Sequence, residues 1–196
     1  FLYNTLDAIV WLAEAKRTEE VISITRALSD FYRISLSDGH DWITLAQEEE
    51  HLRGYLTIQK IRYRDILDYE ISIDPALKNV MILKLSIQPL VENAIYHGIR
   101  NRRGGGLIRI AVFREDGLLN VRVSDNGAGM DSRRLRELRA MLSGSGPSTA
   151  TGYGLFSVDQ RIKLYYNQPQ GLTVESALGE GSVISFSVPA GENGKN

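Results

Sequence analysis

The sequence predicts an α+β fold in which an N-terminal helical segment precedes an α/β sandwich with helices on one face of a mixed sheet. Three observations lead to this prediction. Apolar residues recur at helical spacing through the first third of the chain, short alternating runs mixed with helical stretches follow from Asp68, and turn signals join these runs in pairs. We therefore divide the chain into a helical segment at 1–66, an α/β domain at 67–191 and a tail at 192–196.

The N-terminal segment is predicted to contain three helices. The first covers about Phe1 to Lys16 and the second about 19–36. The third runs from Thr44, which has capping-box spacing to Gln47, as far as about Tyr63. Broad apolar faces of this kind need a partner surface, and a helical dimer would provide one. In the second helix the expected apolar stripe consists of Ile22, Ile24, Leu28, Phe31, Tyr32 and Leu36.

The α/β domain is predicted to contain two hairpins. LIRIAVF and LLNVRVSD, at 107–113 and 118–125, are joined through Glu115-Asp116-Gly117. LTVESA and SVISFSV, at 172–177 and 182–188, are joined through Gly179-Glu180-Gly181. A further strand is expected at 69–74, and helices are expected at about 87–98, 131–142 and 155–166.

The composition excludes several classes of protein. The chain has 196 residues, of which 43% are hydrophobic, with a net charge of −1 and no cysteine. A core of ordinary size is therefore available, whereas a disulfide framework and thiolate metal sites are excluded. The near-neutral charge provides no overall attraction for nucleic acid. No apolar run reaches the roughly eighteen residues that a membrane span requires.

One basic cluster, RNRRGGG at 100–106, raises nucleic-acid binding as an alternative. The cluster is short and has no interleaved aromatic residues, and the chain as a whole is not basic. We interpret it as a basic turn between a helix and a strand, and we predict no nucleic-acid partner.

The segment LSIQPLVENAIYHGI, at 85–99, contains polar side chains that can carry chemistry. Asn93 and His97 are four residues apart and share a helix face, with Glu92 beside Asn93. An amide oxygen is a hard neutral ligand suited to Mg²⁺, and an imidazole can donate to phosphate. The alternative is a solvated polar face with a capping histidine. The opposite face is predicted to be buried through Ile87, Leu90, Val91, Ala94 and Ile95.

The segment VSDNGAGMD follows directly from a predicted strand. Asp125 stands where that strand ends, and Gly127 and Gly129 permit backbone turns that would admit a flat ligand. A carboxylate only accepts hydrogen bonds, so it would select the amino group of adenine over the carbonyl of guanine. The alternative is an ordinary Asp-Asn-Gly turn.

The segment TGYGLFSVDQRI places Gly152 and Gly154 before a predicted helix that begins near Leu155. Free N–H groups at a helix start, behind a glycine loop, bind phosphate anions. The stretch that contains these glycines, SGSGPSTATGYG at 143–154, is rich in Gly, Ser and Thr and is predicted to be a mobile loop. Because no strand precedes the glycines and no Walker lysine follows them, neither a Rossmann fingerprint nor a P-loop is indicated.

The order of these three motifs resembles the GHKL ATPase superfamily, which has a Bergerat-type sandwich. Asn93 matches its N box, 125–129 its first glycine box and 152–154 its second. The resemblance implies that Asp125 reads adenine, that Asn93 holds Mg²⁺ on the triphosphate of ATP, and that the loop between the glycine boxes is the ATP lid. It also suggests that Ser182, after Gly179 and Gly181 of the terminal strand pair, reaches adenine through water.

The resemblance narrows to the LytS-like bacterial sensor histidine kinases. Besides QPLVENAIYHGI, the matching segments are YLTIQKIRYRD at 55–65 and FLYN at 1–4. In that family the helical signature reads Pro-His-Phe-Leu-Tyr-Asn, and its histidine accepts the phosphoryl group. We therefore expect the chain to begin one residue after this histidine and to be the cytoplasmic domain of a bacterial inner-membrane sensor, with its membrane spans before Phe1.

The family implies an ATP-binding catalytic core that transfers the γ-phosphoryl group to a histidine missing from this chain, which alone should not autophosphorylate. It implies a homodimer through the N-terminal helices and a response-regulator receiver domain as partner. The alternative is an ATP-binding interaction module without kinase activity. Glu92 is a candidate for polarising the acceptor imidazole, or else serves helix packing. Of the other histidines, His40 is expected in a loop and His51 exposed on a helix.

Two positions depart from the family pattern. Asp7 stands where the family more often has asparagine, and the lid, at 143–151, carries no lysine or arginine. A cation for the γ-phosphate would then come from elsewhere, with Arg161 and Lys163 on the last predicted helix as the candidates. The alternative is that both are solvated helix charges.

Overall fold

Helices form the N-terminal third, as the apolar spacing predicts. The computed structural model describes residues 1–35, 40–100, 102, 104–145 and 153–190. Helix α1 spans Leu2–Glu14, α2 spans Thr18–Ser35 and α3 spans Leu45–Arg62. The remaining helices are α4 (Gln88–Asn93), which continues as a π-helical segment over Ala94–Ile99, α5 (Ser132–Leu142) and α6 (Tyr153–Tyr165).

The predicted capping box at the start of α3 is confirmed. The backbone N–H of Thr44 donates to Gln47 Oε1 at 2.9 Å, and Thr44 Oγ1 accepts from the N–H of Gln47 at 3.3 Å. Two N–H groups that the first turn leaves without helical partners are thereby satisfied, so the helix begins where the sequence predicts.

The main sheet is mixed and has the strand order β2-β4-β5-β7-β6. Strand β2 pairs with β4 in parallel, and the other pairings are antiparallel. The β4–β5 hairpin turns at Asp116 and Gly117, whose φ values of 51° and 77° are those of a two-residue turn with left-handed backbone. Both predicted hairpins are confirmed. The strands are β2 (Leu67–Ile73), β4 (Gly106–Glu115), β5 (Leu118–Asp125), β6 (Thr173–Ala177) and β7 (Gly181–Pro189).

A small second sheet was not predicted from the sequence. Strand β1 (Trp42–Thr44) pairs antiparallel with β3 (Met81–Leu83), and a 3₁₀ turn at Pro75–Leu77 precedes β3. Strands of three residues are too short to show an alternating pattern, so only their pairing identifies them. The pairing joins the segment before α3 to the segment before α4.

Helices α4 and α6 cover one face of the main sheet. Apolar side chains of the three central strands alternate toward them, and α3 contributes Leu52, Tyr55 and Leu56 to the same core. Because α3 belongs to this shared core, the boundary between the helical segment and the α/β domain, expected near Tyr63 to Asp68, stays a prediction. The tail at 192–196 lies outside the described residues.

Two burial predictions for the helical segment are wrong. In α2, Ile22 is 41% exposed, while Ala27 and Ile34, which the predicted stripe omits, are buried against α3 and the core. His51 is fully buried rather than exposed, because α2 covers the face of α3 on which it lies. Its ring stacks on Phe31 with centroids 4.4 Å apart. Leu36 lies outside the described residues.

Candidate functional site

Helix α4 and its π-helical continuation separate an apolar face from a polar one. The five predicted core residues from Ile87 to Ile95 are buried, which confirms the helical spacing. Asn93 and His97 lie on the other side, where both border a cleft between this helix and α5. The π-helical segment over Ala94–Ile99 widens the helix at this point, a feature that recurs at functional sites.

Glu92 is oriented by a chain of partly buried hydrogen bonds that begins in α3. Gln88 Nε2 donates to Glu92 Oε1 at 2.8 Å, and Gln88 Oε1 lies 2.6 Å from His51 Nε2. Since a carboxylate only accepts, the amide nitrogen of Gln88 faces Glu92 and its oxygen accepts from His51 Nε2–H. Burial lowers the pKa of His51, which favours the neutral form of its ring. The helical segment therefore determines the position of a side chain next to Asn93.

Asp125 stands at the end of β5 among backbone donors. Its Oδ1 accepts from the N–H of Gly127 at 2.8 Å, and its carboxylate also accepts from the N–H of Ser182, its cross-strand neighbour. Burial raises the pKa of the carboxyl to about 6, although these two hydrogen bonds lower it. Gly98 lies directly against the carboxylate. Asp125 is therefore a desolvated acceptor that two backbone donors hold at the end of β5.

The glycines after Asp125 allow the loop to lie against neighbouring backbone. A side chain at Gly127 would collide with the backbone of Gly98, and one at Gly129 would collide with the carbonyl of Ala177. Gly129 also has a φ of 64°, which disfavours other residues. The first glycine box therefore joins β5 to the π-helical segment and to the β6–β7 hairpin.

The cleft consists of two adjoining cavities. A cavity of about 130 Å³ is bordered by Gly98, Gly129 and Ser182, the neighbours of Asp125. A cavity of about 440 Å³ extends from there along α5 to Leu155, at the start of α6. Both are bordered by Asn93, His97, Met130 and Arg134.

The structure brings most of the predicted site residues to this cleft. Asn93, His97, Gly129, Leu155 and Ser182 border it directly. Glu92 is adjacent in sequence to Asn93, which borders the cleft. Asp125 accepts a hydrogen bond from the N–H of Ser182, and Gly127 lies against Gly98, both of which also border it. Gly154 is exposed at the start of α6 and borders neither cavity among the described residues. Gly152 and most of the predicted lid lie outside the described residues.

The two cations suggested for the γ-phosphate are engaged elsewhere. Arg161 Nη2 donates to the carbonyl of Lys84 at 2.9 Å. Lys163 Nζ donates to the carbonyl of Leu142 and forms an ion pair with Asp159, both at 2.7 Å. Neither side chain borders the cleft, so the suggestion that one of them binds the γ-phosphate is wrong. The alternative of free, solvated charges is also wrong, because both side chains have partners within the protein.

Sequence reasoning missed several residues of the cleft, among them Gly98 and Arg134. The dipeptide His97-Gly98 at the end of the N-box helix was a signal, because a helical glycine indicates close approach of another group. Arg134 follows the first glycine box within SRRLRE, in the first turn of α5. That Arg133 and Arg134, of the four arginines of α5, border the cleft was not evident without the position of that helix.

The residues of the cleft fit an adenine nucleotide and its divalent cation. A desolvated carboxylate near a small cavity suits a purine amino group, and Asn93 lies where both cavities meet. Mg²⁺ in nucleotide sites takes one or two protein ligands and fills its shell with phosphate and water. The described residues contain no group of three or more His, Asp and Glu suited to hold a metal.

Two protein-family models match the chain. The model described as histidine kinase matches residues 1–67. The model described as histidine kinase-, DNA gyrase B- and HSP90-like ATPase matches residues 79–192, more than half of the chain.

Several curated proteins similar to this chain are sensor kinases of Bacillus and Staphylococcus species. Sensor histidine kinase YesM of Bacillus subtilis strain 168 is 34% identical over 189 residues, which are 96% of this chain and 31% of that protein. Sensor protein LytS of Bacillus cereus is 28% identical over 190 residues, 96% of this chain and 32% of that protein. Sensor protein kinase HptS of Staphylococcus aureus strain USA300 is 30% identical, over 96% of this chain and 36% of that protein. The chain thus spans about a third of the length of these relatives.

Solved histidine kinase structures share the fold. The histidine kinase domain of the blue-light activated kinase EL346 from Erythrobacter litoralis has a TM-score of 0.54 and 16% identity, covering 87% of this chain and 75% of that one. The catalytic domain of histidine kinase ThkA has a TM-score of 0.54 and 18% identity, covering 76% of this chain and 95% of that one. At these identities the likeness shows the fold alone, and it confirms the predicted sandwich. Within the described residues, no helix combines the length and apolarity needed to cross a membrane.

Proposed function

Since the chain belongs to the nucleotide-binding family of histidine kinase-, DNA gyrase B- and HSP90-like ATPases, we propose that it is the ATP-binding catalytic core of a sensor histidine kinase. It binds ATP with Mg²⁺ in the cleft between α4, its π-helical continuation and α5. It transfers the γ-phosphoryl group to a histidine outside this chain. The observation that carries the proposal is the position of Asp125, a desolvated carboxylate beside the smaller cavity with two backbone donors holding it.

The side chains of the cleft have distinct roles in this proposal. Asp125 accepts a hydrogen bond from the adenine amino group, and Ser182 borders the same end of the cleft. Asn93 offers its amide oxygen to Mg²⁺, which neutralises phosphate charge when bound. His97 lines the path of the phosphates, and Leu155 closes the far end of the larger cavity. The backbone of Gly127, Gly129 and the 152–154 box shapes the loops around the nucleotide.

Phosphoryl transfer requires an acceptor imidazole that is in line with the γ-phosphate and able to release a proton. Glu92 is held beside Asn93 by Gln88, which donates to its Oε1, and within the described residues no hydrogen bond engages its Oε2. We assign Glu92 to polarising that imidazole. Its orientation depends on His51 through Gln88, so the assignment includes a structural link from the helical segment to the site.

Nucleotide selectivity tests the binding part of the proposal. Calorimetric titration of the chain with ATP and with GTP, each with Mg²⁺, should show a preference for ATP. Asp125→Asn should remove this preference, because its amide presents a donor as well as an acceptor. Absence of ATP binding by the folded wild type would refute the assignment and leave a helical interaction module.

Phosphoryl transfer separates the kinase from the alternative, an ATP-binding interaction module. A variant with Pro-His added before Phe1 should acquire an acid-labile, alkali-stable phosphoryl group from ATP, as a phosphohistidine does. The same variant with Glu92→Gln should bind ATP normally and label more slowly. ATP binding without labelling of the extended chain would favour the interaction module.

The sensor kinase relatives imply a dimer and a response-regulator partner. We propose that the homodimer forms through the N-terminal helices, because α1 exposes Tyr3, Leu6 and Val10 along one stripe, with Trp11 beside it. We propose a receiver domain as the second partner, docking on the helical segment. The corresponding location is the cytoplasmic side of a bacterial inner membrane, where YesM-like and LytS-like sensors would carry their catalytic parts.

A further inference from the structure

Arg134 lies at the junction of the two cavities of the cleft. It borders the smaller cavity together with Gly98 and Ser182, and the larger one together with Leu155. Asn93 and His97 border the same junction from the opposite helix. A ligand that extends from the Asp125 end into the larger cavity therefore passes Arg134.

The guanidinium of Arg134 is available to a ligand. Within the described part of the chain it forms no hydrogen bond or ion pair, whereas its neighbour Arg133 is paired with Glu137 at 2.9 Å. Asp131, an acidic residue that also borders the larger cavity, uses its Oδ1 to accept from the backbone N–H of Arg134 at 2.8 Å, as the cap of α5.

The charge of Arg134 already acts across the cleft. Partial desolvation of the ring lowers the pKa of His97, and the positive charge of Arg134 lowers it further. Because His97 belongs to the π-helical segment and Arg134 to α5, the guanidinium faces the side of the cleft that Asn93 borders. Among the described residues that border both cavities, Arg134 is the one with a permanent positive charge, so it is the residue suited to hold an anion at this junction.

We propose that Arg134 binds the triphosphate of ATP and is the residue that makes the cleft select a nucleoside triphosphate over the bare nucleoside. This inference rests on the proposed function. A guanidinium offers two parallel N–H donors to phosphate oxygens, which a lysine does not. It also supplies the cation that the lid lacks at 143–151 and that Arg161 and Lys163, engaged elsewhere, do not provide.

Affinities for ATP, ADP and adenosine, measured by calorimetry with Mg²⁺, test the inference. Arg134→Gln should weaken ATP binding about tenfold or more, ADP less, and adenosine not at all. Arg134→Lys should recover part of the loss. Arg136→Gln is the matched control, because it removes the same charge from another exposed position of the same helix, one that borders neither cavity.

Each result of these affinity measurements either supports or overturns the role proposed for Arg134. Unchanged ATP affinity in Arg134→Gln, or an equal loss for adenosine and ATP, overturns this inference and leaves the proposed function standing. Lack of ATP binding by the folded wild type overturns both. An NMR titration of His97 without ligand checks the geometry: Arg134→Gln should raise its pKa and Arg136→Gln should leave it unchanged, whereas no rise in Arg134→Gln contradicts the placement.

Discussion

Gly98 faces the carboxylate of Asp125 so closely that a methyl group on its Cα would come within 2.5 Å of Oδ1 and 2.9 Å of Cγ. These two residues lie on different elements, the π-helical segment and the end of β5. The contact joins the predicted Mg²⁺-binding helix to the predicted adenine acceptor. The absence of a side chain at Gly98 therefore sets where the carboxylate of Asp125 lies.

Gly98→Ala should displace Asp125 and weaken ATP binding about tenfold, with a loss of about 1–3 kcal/mol in the free energy of unfolding from overpacking. Calorimetry and thermal unfolding measure the two effects. Gly105→Ala is the control, because a side chain there meets open space. Equal ATP affinity in Gly98→Ala and wild type would contradict the role given to this contact.

Adenine selectivity should decrease on acidification. Burial raises the pKa of Asp125 to about 6, and protonation would turn one acceptor oxygen into a donor. ATP and inosine triphosphate carry the same phosphates, so the ratio of their dissociation constants reports the contribution of the group on carbon 6 of the purine, which is an amino group in ATP and a carbonyl in inosine triphosphate. That ratio should fall from about tenfold at pH 7.5 to near unity at pH 5. Asp125→Asn should give a flat ratio, and a flat ratio in the wild type would show that Asp125 does not contact the base.

Glu48 should make the fold less stable as pH rises. It is fully buried, and burial raises its pKa from 4.5 to about 7 despite backbone donors at Leu85 and Ile87. Between these two values the folded state keeps a proton that the unfolded chain has released, so stability falls with rising pH and levels off above about pH 7. Urea unfolding should show the wild type losing on the order of 3 kcal/mol more than Glu48→Gln between pH 4.5 and 7.5.

In that comparison the other titrating groups are common to both proteins, so the difference curve reports Glu48. The buried His51 acts with the opposite sign, since its lowered pKa favours the fold as pH rises toward 6.5. Parallel stability curves for the wild type and Glu48→Gln would mean that Glu48 ionises normally.

Self-association should depend on α1. Leu6 is 45% exposed and Val10 57% exposed on a helix whose other face contacts α2. We expect a dimer in sedimentation equilibrium, and Val10→Glu should weaken it at least tenfold, because a charge would be buried in the apolar stripe. Leu164→Glu is the control, a charge placed on a 75% exposed leucine of α6. Dissociation by Leu164→Glu, with no effect of Val10→Glu, would place the interface elsewhere.

Much of the fold follows from local patterns in the sequence. Examples are the alternation in β4 and β5, the Asp116-Gly117 turn and the Thr44–Gln47 capping box. Each involves residues a few positions apart, so its geometry follows from backbone preferences of the residue types present. The same holds for the buried face of the N-box helix. The motif order Asn93, Asp125 and the 152–154 glycines likewise identified the family.

Other features depend on which surfaces meet. His51 has the polar neighbours of an exposed helix residue, yet α2 covers it and Gln88 satisfies its Nε2. Strands β1 and β3 exist because they pair with each other, 37 or more residues apart in register. Periodicity within a single helix or strand contains no information about such contacts.

The sequence by itself determined the helices, the hairpins, the glycine boxes and the residue types from which a nucleotide site is built, because each rests on interactions between near neighbours in the chain. Only the tertiary structure decided that Gly98 positions Asp125, that His51 orients Glu92 through Gln88, and that Arg134 rather than Arg161 or Lys163 faces the cleft. The physical reason is that a helix shows its apolar face in its sequence, whereas the direction in which a particular polar side chain points depends on how that helix is rotated against its neighbours.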